Sequence, residues 1–334
     1  MKGAMMMRPD PVTISQRLRA LHIPNQRDTE IERQLRRLLQ HDEHGQPTAV
    51  PCRFTGEKET RGIAVIEPAG GGKTTAIRRV LEASTALSRN PSTGQPRFLA
   101  LEVPSPATLK GVGATILGAL GMPIVPQKCT EVEIWHAVRH RLGQAGITVL
   151  WLDEAHDLLM AKSISETESS LRMIKSLMQG PNAIIPILSG TQRLAEVLGL
   201  DPQVSRRFTK IVPADLQHGA DEEGLKGLIQ HYCSKAEMSM SLAEDLPARL
   251  ITASRHRFGR AVEAIINAIE CALWDGATML TSDHFAEAWA MQEGCSPDDN
   301  VFLSRDWLSI QLDRGAAEYE EARKRRFQKK LERV

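Results

Sequence analysis

Gly70-Gly-Gly-Lys-Thr-Thr75 follows an apolar run, Gly62-Ile-Ala-Val-Ile66, and precedes residues that favour helix. That order reads strand, loop, helix, and the residue types suit a polyphosphate. Glycines let successive backbone N–H groups turn toward phosphate oxygens. The Lys73 ammonium can neutralise β and γ oxygens, and the Thr74 hydroxyl can ligate Mg²⁺. Thr75 continues the turn, and helix formers from Ala76 onward place the positive end of a helix dipole beneath the phosphates. One position departs from the pattern G-x-x-x-x-G-K-[ST]: its first glycine is Glu67. A carboxylate near a triphosphate can repel it. The plain alternative is a glycine-rich turn that happens to precede Lys-Thr.

A second chemistry-bearing run is Ile147-Thr-Val-Leu-Trp-Leu-Asp-Glu154, in which apolar residues end in two carboxylates. Asp153 would hold the Mg²⁺ coordination sphere and Glu154 would polarise an attacking water. Alone, the run reads equally well as a buried strand ending in an acidic turn. Its agreement with the lysine loop favours the chemical reading. In Ile184-Ile-Pro-Ile-Leu-Ser-Gly-Thr191, Ser189 and Thr191 are candidates for sensing a γ-phosphate; an ordinary helix N-cap at Thr191 explains that residue as well. The pair Arg206-Arg207 suits an arginine finger, with Arg207 preferred and Arg206 second, against the alternative of a solvated basic pair. Nothing in one chain places the pair near Lys73, so the finger would act on a neighbouring subunit. Arg260 falls in the first turn of an expected helix, where the dipole disfavours a cation; contact with a nucleotide would account for it. His156 has no second metal ligand in view and reads as a helix-start residue.

Elements that could position these groups alternate along the chain. Short apolar strands at Ile63–Ile66, Phe98–Val103, Ile147–Leu152 and Ile184–Leu188 are separated by helical patterns, with a further short strand at Thr209–Val212. This predicts an α/β fold with a parallel sheet flanked by helices, whose strand C-termini form the ligand edge. After Asp215 the patterns are helical only, which predicts a small all-helical lid domain. The expected organisation is an N-terminal arm and helix over 1–60, an α/β core over 61–215, the lid over 216–294, and a C-terminal extension with a basic tail over 295–334. Residues 1–27 read as an extended arm, Thr29 with Glu32 as a capping box, and His41–Thr60 as a loop.

A net charge of +1 excludes polyanion binding by bulk charge, so any nucleic-acid site must be a local patch. Five scattered cysteines without C-x-x-C read as reduced thiols. Met1–Pro9 has no apolar signal-peptide region and no run is long enough to span a membrane, so no membrane is expected and the expected compartment is the cytoplasm.

In order and spacing these motifs resemble the AAA+ ATPases: P-loop, Walker B, sensor 1, arginine finger, and sensor 2 in a helical lid. More narrowly, the chain looks like the TniB/TnsC/MuB group of transposition ATPases. That resemblance rests on Phe98-Leu-Ala-Leu-Glu-Val-Pro-Ser-Pro-Ala-Thr-Leu-Lys110, Ile116-Leu-Gly-Ala-Leu-Gly-Met-Pro123, Leu152-Asp-Glu-Ala-His-Asp157, Ser189-Gly-Thr-Gln-Arg193 and Ser205-Arg-Arg-Phe208. It implies Mg²⁺-dependent ATP hydrolysis and ATP-driven assembly into a homo-oligomeric ring or helical filament on double-stranded target DNA. It also implies recruitment of a transposase, in some systems with a target-selector protein, and disassembly on hydrolysis. Gly70, Gly71, Gly72, Lys73, Thr74, Thr75, Asp153, Thr191 and Arg260 would hold the nucleotide, with Glu154, Arg207 and Arg206 acting in hydrolysis. Thr108, Lys110 and Lys128 would touch DNA, although Lys110 reads equally as a solvated lysine. For the tail Arg323–Lys330 a solvated charged helix end is the plainer reading than a DNA or partner contact. Two other readings are an AAA+ loader or motor acting on a protein client, and a small-molecule P-loop kinase, which needs neither the arginine pair nor the lid.

Overall fold

The computed structural model describes residues 10–122, 128–159 and 164–331. Met1–Pro9, expected to lack a signal region, Pro123 of the family-like motif and the last three residues of the tail lie outside them. The chain divides into two compact units. One comprises residues 24–69 and 73–213; the other comprises residues 1–23, 70–72 and 214–333.

In the first unit, helix α2 (Gln26–Leu38) leads into two short antiparallel strands, β1 (Leu39–His41) and β2 (Pro47–Pro51). A five-stranded parallel sheet follows: β3 (Gly62–Ile66), β4 (Phe98–Glu102), β5 (Val149–Asp153), β6 (Ile185–Gly190) and β7 (Phe208–Ile211), in the order β4-β5-β6-β3-β7. Every residue of β3, β5 and β6 is buried, as expected for central parallel strands covered on both faces. Alternate residues feed opposite faces. Ala64, Ile66, Leu150, Leu152 and Leu188 pack with helices α4 (Leu109–Ala119), α5 (Glu131–Ala145), α7 (Ile164–Leu177), α8 (Gln192–Leu200) and the short α9 (Pro202–Ser205). Ile63, Val65, Val149, Trp151, Ile185 and Ile187 pack with α2 and with α3 (Lys73–Ala83). The register aligns Ile66 with Gly190 and Leu152 with Leu188, so the C-termini of β3, β6 and β5 finish side by side. Those three ends carry Glu67, Ser189 and Asp153.

The other unit is mainly helical: α1 (Pro11–Ala20), α10 (Glu222–Lys235), α11 (Leu246–Ala253), α12 (Phe258–Trp274), α13 (Ser282–Glu293) and α14 (Arg314–Leu331). Its core gathers Tyr232, Leu250, Ile265, Ile269, Phe285 and Trp289.

Four local expectations change. Residues 11–20 are helical rather than extended, because Pro11 starts a helix whose Ile14 and Leu18 are buried among those core residues. The first turn of α2 is capped by Asn25 with Asp28, not by Thr29 with Glu32: Asn25 accepts from the Arg27 and Asp28 N–H groups, and Asp28 accepts from the Asn25 N–H. The segment read as a loop, His41–Thr60, contains β2, which pairs back onto β1. Strands also recur after Asp215, as the short parallel pair β8 (Ser239–Ser241) and β9 (Met279–Thr281). Among the described residues no helix is long and apolar enough to cross a membrane.

Candidate nucleotide site

The carboxylate at the loop's irregular first position is internally neutralised. Glu67 is buried, and Arg27 Nη1 donates to its Oε1 at 3.1 Å and Oε2 at 2.8 Å. Both side chains are almost wholly enclosed. Arg27 lies on the first turn of α2, and the Glu67 N–H donates to the Gly190 carbonyl. Repulsion of phosphate by Glu67 is therefore countered by a cation forty residues away in sequence, a partner that no local motif points to.

Lys73 opens α3, so the free N–H groups of that helix lie at the loop, where an anion is favoured. Six polar side chains converge around the ends of β5 and β6 and the start of α3. Thr74 Oγ1 donates to Asp153 Oδ2 at 2.6 Å. Asp153 Oδ1 accepts from Ser189 Oγ at 2.6 Å and from the Glu154 N–H at 3.0 Å. Lys73 Nζ lies 3.0 Å from Glu154 Oε1, and His156 Nδ1 lies 3.2 Å from Oε2. Glu154 itself adopts φ 52°, a left-handed conformation uncommon outside glycine, which Thr55, Glu57, Glu237, Arg255 and His256 also adopt. His156, at the start of helix α6 (Ala155–Leu159), has its imidazole held below its ordinary pKa by burial, against the opposing pull of Asp157 and Glu154. Its ring packs so closely on the end of β6 that a Cβ on Gly190 would stand 2.9 Å from Nδ1.

The donor set fits Mg²⁺. A hydroxyl and a carboxylate oxygen meet at Thr74 and Asp153, and such an ion takes one or two protein oxygens together with phosphate oxygens and water. Among the described residues no cluster of three His, Cys, Asp or Glu side chains forms an all-protein metal cage. Thr75 is exposed one position along α3. Thr191 precedes α8, but its hydroxyl makes no capping hydrogen bond, and its buried Oγ1 has no partner. Thr191 is the N-cap residue of α8 by backbone position, its carbonyl accepting from the Leu194 N–H at 2.8 Å, but its side chain takes no part in the cap.

In the other unit, Gly70–Gly72 pack against the start of α12. The Gly259 N–H donates to the Gly71 carbonyl at 3.2 Å. Gly70, at φ 79°, lies under the Arg260 side chain, where a Cβ would come within 2.8 Å of Cγ and Nε. Gly72 has φ 104°. These conformations are the ones that require glycine.

The arginine pair is divided by its surroundings. Arg207 is buried, with Nε donating to Glu59 Oε2 at 2.7 Å and Nη2 also bonded to that oxygen. Arg206 is exposed on the same turn, 3.6 Å from Glu59 Oε1. Of the pair, Arg207, preferred from the sequence, is enclosed by its own chain, and Arg206 is the one whose side chain is open to solvent. Thr108 is the N-cap of α4 and accepts from the Gly111 N–H; Lys110 and Lys128 are exposed, the latter in the turn before α5.

A parallel sheet in this order, with a lysine loop at the end of β3 and Asp-Glu at the end of β5, defines a P-loop ATPase fold of the AAA+ type. Residues 18–217, more than half of the chain, match the family model described as bacterial TniB protein. The chain belongs to the TniB family. No curated protein matches it. Among solved structures it is similar to the Aeropyrum pernix ORC1 protein in complex with DNA, at 18% identity and a TM-score of 0.58, over 83% of this chain and 67% of that one. The Aeropyrum pernix ORC2 protein (ADPNP-ADP complexes) gives 17%, 0.53, 84% and 72% for the same measures. Cdc6p from Pyrobaculum aerophilum gives 14%, 0.53, 85% and 75%. At such identities the likeness is one of fold.

Proposed function

We propose that this protein is an ATP-dependent regulator of DNA transposition that oligomerises on double-stranded target DNA, recruits the transposase and is released by hydrolysis. The observation that carries the reading is the convergence of Lys73 and Thr74, at the start of α3, with Asp153 and Glu154, at the end of β5. Membership of the TniB family supports the transposition context. Gly70, Gly71, Gly72, Lys73, Thr74 and Thr75 cradle the triphosphate, and Thr74 with Asp153 holds Mg²⁺. Bound there, Mg²⁺ would offset charge on the β and γ phosphates. Glu154 orients the attacking water, Thr191 reads the γ-phosphate, and Arg260 of the helical lid over 216–294 reads nucleotide state. Arg206 reaches a neighbouring subunit's phosphate. Thr108, Lys110 and Lys128 contact the DNA backbone without reading sequence. A target-selector protein is a further partner, and the compartment is the cytoplasm.

Glu154 and a phosphate compete for Lys73, since the ammonium already pairs with the carboxylate. Triphosphate binding therefore frees the hydrolytic carboxylate at the moment it is needed. The test is Glu154→Gln, assayed for ATP affinity, turnover and DNA-complex lifetime. Expected are ATP binding at least as tight as wild type, turnover reduced about 100-fold or more, and longer-lived DNA complexes. Unchanged turnover would remove Glu154 from hydrolysis. A monomer that ignores DNA with ATP analogues present would defeat the regulator reading and favour a protein client.

A further inference from the structure

Trp151 and Ser189 form a buried relay behind Asp153. Trp151 Nε1 donates to Ser189 Oγ at 2.7 Å, and Ser189 Oγ donates to Asp153 Oδ1 at 2.6 Å. All three side chains are enclosed. The direction of the relay follows from donor chemistry. An indole N–H can only donate, so the Ser189 oxygen must accept from it, and its single hydrogen is left to point at the carboxylate. Oδ1 also takes the Glu154 N–H, whereas Oδ2 meets the Thr74 hydroxyl. The carboxylate is thus pinned through one oxygen, and the other is presented to the P-loop threonine. Residues 151 and 153 point to the same face of β5, and 189 lies on the neighbouring strand β6, so the sheet itself sets this geometry.

We propose that Trp151 and Ser189 are positioning residues for the metal-binding carboxylate. They fix Asp153 with Oδ1 turned inward and Oδ2 toward Thr74, and so set the affinity for Mg²⁺ in the presence of nucleotide without touching the nucleotide. The proposal rests on the ATP-binding reading above. Trp151→Phe keeps an aromatic ring in the core but removes the N–H, which leaves the Ser189 hydroxyl free to rotate. Ser189→Ala removes the donor to Oδ1.

The test is thermal stabilisation of the full chain by ATPγS at saturating concentration, titrated with Mg²⁺, beside the same measurement in EDTA. Each variant should raise the half-saturating Mg²⁺ concentration about 10-fold, the equivalent of one ~1.4 kcal/mol hydrogen bond to a charged group. Metal-free nucleotide stabilisation should be unchanged. The double variant should match Ser189→Ala rather than add to it, because the two residues act through one bond. A Trp151→Phe protein with a wild-type Mg²⁺ midpoint, or one that loses metal-free binding equally, would overturn the relay. Additive shifts in the double variant would also overturn it. If the wild type itself shows no Mg²⁺-dependent stabilisation by nucleotide, the ATPase reading fails as well; wild-type dependence with unaltered variants sinks the relay alone.

Discussion

Glu67 and Arg27 pair their opposite charges out of reach of water, and this changes what each can tolerate. Removing one member leaves a buried charge unpaired, which typically costs about 3–5 kcal/mol, whereas replacing both with apolar residues of similar size can be neutral. Arg27→Ala should therefore lower stability in chemical denaturation by that order, and should weaken ATP binding because Glu67 is then unneutralised beside the loop. Arg27→Met with Glu67→Met should recover most of the stability; a double variant as unstable as Arg27→Ala would argue against charge pairing as the cause. The two adjacent arginines should separate cleanly. Arg207→Ala should destabilise the fold by about 3–5 kcal/mol, while Arg206→Ala should leave the denaturation midpoint alone and reduce ATP turnover of the assembled protein. At this scale the sequence exposes Lys73, Thr74, Asp153 and Glu154, because their roles are written in adjacent residues. Arg27, Trp151 and the partner Glu59 stay hidden in it, because each meets its target only after the chain folds back.

At the scale of elements, the segment before β3 is tied to the turn before β7. Glu59 accepts from Thr55 and from Arg207. Burial pushes its carboxyl pKa up, but the Arg207 and Thr55 hydrogen bonds and the nearby arginine charges outweigh this and hold it below its ordinary value of 4.5. A lowered folded pKa means stability that is present above the unfolded value and is lost as pH falls through the folded one. Acid unfolding below about pH 4.5 should therefore be shallower in Glu59→Gln, as followed by circular dichroism against pH. Gly259 makes a second elemental constraint: a Cβ there would stand 2.4 Å from the Gly70 carbonyl oxygen. Gly259→Ala must displace the glycine loop, so it should weaken ATP binding more than it lowers the melting temperature. The strands are legible in the sequence because short apolar runs punctuated by glycine or acidic residues fit little besides a central parallel strand. Helix α1 is not, because only Ile14 and Leu18 signal its buried side and neither has meaning until the core of its unit exists.

For the whole molecule, a net charge of +1 gives one copy no bulk attraction to DNA, so on the proposed function affinity would build up by repetition along a polymer. Assembly on duplex DNA with ATPγS should be sequence-independent and should fall steeply between low and moderate salt, with a slope set by the number of phosphates neutralised per subunit. Light scattering against salt concentration measures it; assembly that is indifferent to salt would point away from backbone contacts. The proposed role of Arg206 would make this assembly, not the isolated chain, the hydrolytic unit.

The buried Arg27–Glu67 contact also bears on how the protein can be dissected. A fragment trimmed to begin at β3 would keep every residue of the P-loop and Walker B motifs and still lose the cation that makes its phosphate loop electrically neutral at the head. Such a fragment would carry the full recognisable signature of a nucleotide-binding protein while lacking the partner of its buried Glu67. The boundary of a piece that keeps this ion pair and its helix cap therefore falls upstream of Asn25, well before the first signature residue.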